Sequence, residues 1–160
     1  MEIKNKRFFL FLGFLFIVCY GQSQERIAFE YKFEKDSIHS KQIYKVKAKI
    51  TNKTDKDIYF LSETCNGLDS FLSTDIEYVN IYFSHHCRKS YPQKNLLKAN
   101  SSFEFKSMIR LMDSIKEVSL NLEFVELKST AKAEGGDRSR IIKKENIINT
   151  ALVKGDLFKL

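Results

Sequence analysis

A chain of 160 residues with a formal charge of +7 is sized for one domain with a real hydrophobic core, and it is too short for a multi-domain enzyme. Proline occurs once and tryptophan not at all, whereas phenylalanine, tyrosine, isoleucine and lysine are abundant, a mix suited to pleated sheets. Hydrolase and nucleotide signatures are missing: the sequence has no G-x-S-x-G, no H-E-x-x-H, no phosphate-cradling glycine loop and no C-x-x-C, so we expect no enzyme and no cofactor.

The first element is a leader. Lys4, Lys6 and Arg7 precede an uncharged apolar run from Phe8 to Tyr20, and small residues follow at Gly21 and Ser23. A run of that length is short of the roughly 20 apolar residues a spanning helix needs, and it suits the core of a secretory signal. Residues 1–23 are therefore read as a signal peptide and 24–160 as the mature domain, periplasmic or extracellular. No transmembrane helix is expected in the mature chain. Cys19 offers an alternative, the acylated first residue of a lipid-anchored surface protein. That route calls for a small residue just before the cysteine, and Phe16, Ile17 and Val18 stand there. Cleavage would lower the formal charge to +5 and leave two cysteines, Cys65 and Cys87.

Alternation then dominates. In residues 25–35, Ile27, Phe29, Tyr31 and Phe33 fall on one face, with Glu30, Lys32 and Glu34 on the other. In 43–50, Tyr44, Val46, Ala48 and Ile50 oppose Lys45, Lys47 and Lys49. Such period-2 patterning predicts strands with one buried and one wet face. A polar turn through Asn52 and Asp55 leads to a short strand over 57–62, which predicts a hairpin from 43 to 62. Residues 63–75 are irregular, 76–84 alternate again, and 85–95 read as a connection, with Pro92 placed there or on a sheet edge. Residues 102–111 and 117–127 form the clearest predicted antiparallel pair. The inward sets are Phe103, Phe105, Ile109 and Leu111, with Ser107 among them, and Val118, Leu120, Leu122 and Phe124, with Glu117, Ser119, Asn121 and Glu123 outward. Residues 128–140 are a charged, glycine-bearing loop, 141–149 are ambiguous between helix and strand, and a last strand is broken at Gly155. About seven antiparallel strands with almost no helix signal define an all-β chain, a β-sandwich.

The stretch YKVKAKITNKTDKDIYFLSETC, and the later ANSSFEFKSMIRL, resemble the early and middle strands of small secreted bacterial immunoglobulin-like β-sandwich proteins, over about residues 26–127. The resemblance implies an antiparallel immunoglobulin-like sandwich acting as a binding or accessory module, not a catalyst. It differs from antibody domains in having no core tryptophan and in placing its cysteines just past strands, not within them.

The cysteines carry two competing readings. Cys65 and Cys87 in an oxidising compartment point to a disulfide, provided their Cα atoms come within about 7 Å. Closing a loop of that size stabilises by roughly 3 kcal/mol on the chain-entropy model. The alternative is a zinc or copper site using Cys65, His85, His86 and Cys87. The consecutive order of His85, His86 and Cys87 argues against it, since neighbours on extended chain point apart. The disulfide is the reading taken, with Cys65, His85 and Cys87 as the alternative metal set. His39 reads as a solvated loop residue. Glu63, Asp69 and Asp75 are a weak candidate cation site. Lys45, Lys47 and Lys49 form a basic stripe that could draw acidic glycans, lipid headgroups or nucleic acid, although alternating lysines also simply keep a strand soluble. Export disfavours nucleic acid, so the partner is taken to be an unknown protein or glycan, met by a monomer. Asn52 and Asn100 head glycosylation-type triplets.

Overall fold

A computed structural model of the chain describes residues 26–35, 42–65, 67–77, 79–82, 89–112, 114–132 and 142–159. Residues 1–23, read from the sequence as a signal peptide, with Cys19 among them, His39, the segment containing His85, His86 and Cys87, and most of the glycine-bearing loop lie outside the described residues.

The chain is all-β. In order come β1 (Ile27–Lys35), β2 (Ile43–Asn52), β3 (Ile58–Glu63), β4 (Leu72–Ser73), β5 (Val79–Tyr82), β6 (Pro92–Leu97), β7 (Ser102–Leu111), β8 (Glu117–Val118), β9 (Asn121–Leu127), β10 (Ile147–Lys154) and β11 (Phe158–Lys159). Short 3-10 turns at Asp69–Phe71 and Lys144–Asn146 interrupt the strands. All described strand pairs are antiparallel. One sheet (sheet A) has the order β1-β2-β7-β5. The second (sheet B) runs β10-β9-β3-β6, with β4 also on β9, and β8 and β11 form a small ribbon.

The alternating residues meet in one cluster. Ile27, Phe29, Val46, Ala48, Ile50, Ile109 and Leu111 from sheet A join Ile58, Phe60, Leu97, Leu122, Phe124 and Val153 from sheet B. Phe60 is fully buried and meets Phe103 of the opposite sheet edge-on at 5.5 Å, while Phe124 stacks on it at 5.7 Å. Each such side chain contributes about 1.5–3 kcal/mol by leaving water. Sheet B is also apolar on its other side, where Val125, Leu127 and Ala131 gather Tyr59, Leu61, Phe71, Ile142 and Ile147. The expectation of one wet face per strand therefore holds for sheet A and fails for sheet B.

Two pairings expected from the sequence are corrected. Residues 43–62 do not form a hairpin: β2 pairs with β1 and β7, and β3 pairs with β6 and β9 in the other sheet. Likewise β7 and β9 lie in different sheets. Alternation says which side chains turn inward; it does not say whether the next strand lies beside or opposite. Asn52 makes the first crossing. It is completely buried, its Nδ2 donates to the carbonyls of Lys56, Leu97 and Lys98, and its Oδ1 accepts from the Thr54 amide and hydroxyl. The turn it holds needs those bonds, so the Asn52 triplet is a structural device with no exposed acceptor. Residues 92–95, expected as part of a connection over 85–95, belong to edge strand β6, with Pro92 as its first residue, a position that needs no ladder donor there. The ambiguous 141–149 segment resolves into the second 3-10 turn and the start of β10.

Tyr31 ties three elements together. Its hydroxyl accepts the Leu120 amide at 2.9 Å and faces the carbonyls of Val118 and Asp156 as acceptors for its own proton. Burial pushes the phenol pKa up, and the Leu120 bond partly offsets that. Gly155 sits against the ring: a Cβ there would stand 2.3 Å from Tyr31 Cε1 and 2.9 Å from the Leu120 oxygen, which already accepts the Gly155 amide. Tyr31→Phe should therefore lower unfolding free energy by about 1–3 kcal/mol, the cost of orphaning a buried amide. Gly155→Ala should destabilise through the clash; chemical denaturation of each variant checks both.

Candidate functional site

The tip where Cys65 sits is a tight turn. Glu63 and Gly67 exchange two backbone hydrogen bonds of 2.8 and 3.1 Å, and Gly67 takes φ +58°, which favours glycine. Across from it runs the chain leaving residue 89. The Thr64 amide donates to the Tyr91 carbonyl at 2.8 Å, the Tyr91 amide donates to Thr64 Oγ1 at 3.1 Å, and the Cys65 amide reaches Ser90 Oγ at 3.4 Å. The turn and the segment just past Cys87 are thus zipped together beyond the β3–β6 pair. Cys87, His85 and His86 themselves lie outside the described residues. Among the described residues no group of three His, Cys, Asp or Glu side chains could hold a metal ion.

The three loop acids part company. Glu63 ends β3, Asp75 is exposed, and Asp69 is buried at 5 % exposure in the first 3-10 turn. Burial raises the Asp69 pKa from its ordinary 3.8 to about 7, against a smaller opposing pull from the Ser107 hydroxyl. That hydroxyl lies near the carboxyl yet completes no hydrogen bond of normal geometry. Asn121, expected to face water, is instead 2 % exposed, with its Nδ2 unsatisfied.

The solvent side of sheet A is a charged surface. Sequence shows Lys45, Lys47 and Lys49 along one strand; the register shows what lies across it. Lys32, Lys47 and Lys106 face one another on β1, β2 and β7. The row on one side is Glu30, Lys49 and Glu104, and the row on the other is Glu34, Lys45 and Met108. Lys47 Nζ binds Glu34 Oε1 at 2.7 Å and Lys49 Nζ binds Glu30 Oε2 at 2.9 Å. The hydrogen bond from Lys47 holds the Glu34 carboxyl below its usual range, with further help from the charges of Lys45 and Lys106. Glu30, Lys32, Lys47, Lys49, Glu104 and Lys106 wall an open trough of about 670 Å³. Its floor is the backbone of Tyr31, Ala48 and Phe105, whose side chains turn to the core. The signal that could have found the row is a pairing of strands 25–35, 43–52 and 102–111; composition alone could not supply it.

This surface is equipped for charge recognition. Ammonium groups offer three donors each and no acceptor, and carboxylates in the flanking rows limit where negative charge can settle. No helix among the described residues is long and apolar enough to cross a membrane. No protein-family model matches the chain, and comparison with curated proteins finds no match.

Asp69 makes stability depend on pH in a defined direction. Its folded pKa is raised, so the folded state binds the proton more tightly than the unfolded one. The stabilisation is complete below the ordinary value of 3.8 and is lost as pH rises through about 7. Asp69→Asn should therefore raise the melting temperature at pH about 8.5 and change it little at pH about 5, flattening that part of the profile measured by thermal denaturation.

Proposed function

We propose that the chain is an exported, non-catalytic immunoglobulin-like β-sandwich that works as a monomeric binding or accessory module, and that it binds through the solvent side of sheet A. The observation that carries the reading is the trough between ionisable rows on a sheet face that, among the described residues, no second apolar layer covers. The immunoglobulin-like assignment is supported by the sheet orders. β1-β2-β7-β5 and β10-β9-β3-β6 parallel the A-B-E-D and G-F-C-C′ orders of that architecture. The chain departs from it by running through β5 before β6. Export is supported by the leader, with its basic start, apolar run and small residues.

The Cys65–Cys87 bridge belongs to the same proposal. It is supported by the bonded, non-titrating state of the Cys65 sulfur and by the hydrogen bonds that draw Ser90 and Tyr91 against Thr64 and Cys65. Such a clasp would pin the strand ends at one rim. The metal reading draws no comparable support.

Expression of the full chain in a secreting host tests export and bridging together. The expected product starts at Gln24, and its intact mass without reductant is two hydrogens below the reduced mass. A lipid-bearing Cys19 at the amino terminus would make the protein a surface lipoprotein, and two free thiols would remove the bridge. The binding role is tested by presenting the mature protein to arrays of glycans and purified envelope proteins. A bound species that is lost with Lys47→Glu/Lys49→Glu, in a variant with unchanged circular dichroism, is the expected result. Binding indifferent to that change would move the site elsewhere.

A further inference from the structure

The row Lys32–Lys47–Lys106 asks for an explanation that solubility does not provide. Like charges directly opposite on neighbouring strands destabilise a sheet, and here three stand side by side across two strand pairs. One glutamate, Glu34, answers Lys47; Lys32 and Lys106 form no ion pair among the described residues. A solubilising face has no need to stack its cations in register, because one lysine and one glutamate per row serve as well.

We propose that this row is a subsite for a linear acidic polysaccharide, whose carboxylate or sulfate groups lie across the strands, one against each lysine. The proposal rests on the reading of this face as the binding surface and names its ligand class. Strand spacing sets the backbones that carry the three lysines about 4.8 Å apart, a regular interval along the row. A polymer that carries one anion per sugar repeat presents its charges at comparable intervals.

Width decides among polyanions. The positive strip is one residue wide: the Glu30–Lys49–Glu104 row beside it is net negative, and the Glu34–Lys45–Met108 row is neutral. The trough is lined by this row together with Glu30, Lys49 and Glu104, so a narrow chain centred on the lysines meets the acids of one flank only. An anionic bilayer or a nucleic-acid duplex spans several rows and meets the acids of both flanks. Single-stranded nucleic acid is held largely by stacking on aromatic side chains. The solvent-side residues of β1, β2 and β7 include none; their aromatic residues Phe29, Tyr31, Phe33, Phe103 and Phe105 belong to the core cluster. Lysine also suits the task, since its ammonium is a compact, hydrated point charge that tolerates either anion in varied orientations. The Lys47–Glu34 pair is exposed on both sides and exchanges readily for an incoming anion.

The test is isothermal titration of the mature protein with five probes: a size-defined heparin oligosaccharide, an oligogalacturonate, a neutral dextran oligosaccharide, single-stranded DNA and phosphatidylglycerol vesicles. Two double variants accompany it. Lys32→Gln/Lys106→Gln removes two of the row's three lysines, and Lys53→Gln/Lys56→Gln removes the same charge from the exposed β2–β3 turn. Heparin or oligogalacturonate should bind, more weakly at about 0.15 M salt than below it. The row variant should lose about tenfold in affinity and the turn variant less than about twofold, both with unchanged circular dichroism. Which of the two oligosaccharides binds tells sulfate from carboxylate recognition. Equal affinity of the two variants, equal binding of dextran, binding confined to DNA or vesicles, or no oligosaccharide binding by the folded protein each overturns the proposal. A different ligand whose binding is lost with Lys47→Glu/Lys49→Glu would still leave this face as the binding surface.

Discussion

A side chain on a strand has two places to go, and its neighbour must take the other. That constraint carries this protein. Ile27, Phe29, Tyr31 and Phe33 turn inward on β1, as do Tyr44, Val46, Ala48 and Ile50 on β2, and the Phe60–Phe103 contact shows the two sheets sharing one interior. The lysines then have no choice but the opposite face. The same register that aligns Tyr31 with Ala48 and Phe105 aligns Lys32 with Lys47 and Lys106 one residue on. Core and charged row are two readings of one pairing, so a change in register alters both.

Polar groups inside the protein mark the places where alternation alone would leave the chain undetermined. Asn52 turns the chain from one sheet to the other by meeting five backbone and side-chain partners. Tyr31 reaches past the core to fix the β8–β9 connection and the bend after β10, where Gly155 clears space for the ring. At the sheet edges, the Arg26 guanidinium meets the Glu126 carboxylate through two hydrogen bonds, joining the start of β1 to β9. Asp69 and Ser107 form the exception. They are buried close together without a hydrogen bond of normal geometry, and burial raises the Asp69 pKa.

Local readings of the sequence succeeded where the physics is local. The inward sets of β1, β2 and β7, the break at Gly155 and the all-β class were legible because each follows from side-chain alternation or from a residue's own conformational limits. Partner choice was not legible. The hairpin over 43–62 and the pair over 102–127 were mis-assigned because a short polar turn serves equally for a crossing between sheets. β6 went unseen because Pro92, Gln93, Lys94 and Asn95 give it little apolar signal; pairing with β3 supplies what the residues do not. Asn121 was placed outside by its parity, yet it is buried, on a sheet that is apolar on both sides. The basic stripe on β2 was visible, whereas the row across three strands depends on register and could not be read from any one segment.

The measurement that bears most directly on this account is the set of cross-strand nuclear Overhauser contacts in the mature protein. The account predicts contacts joining Tyr31 to Ala48 and Ala48 to Phe105, together with ring contacts between Phe60 and Phe103. A two-residue offset in either strand pair would keep the core faces but scatter the lysines, and the absence of Phe60–Phe103 contacts would separate the sheets; either result contradicts it.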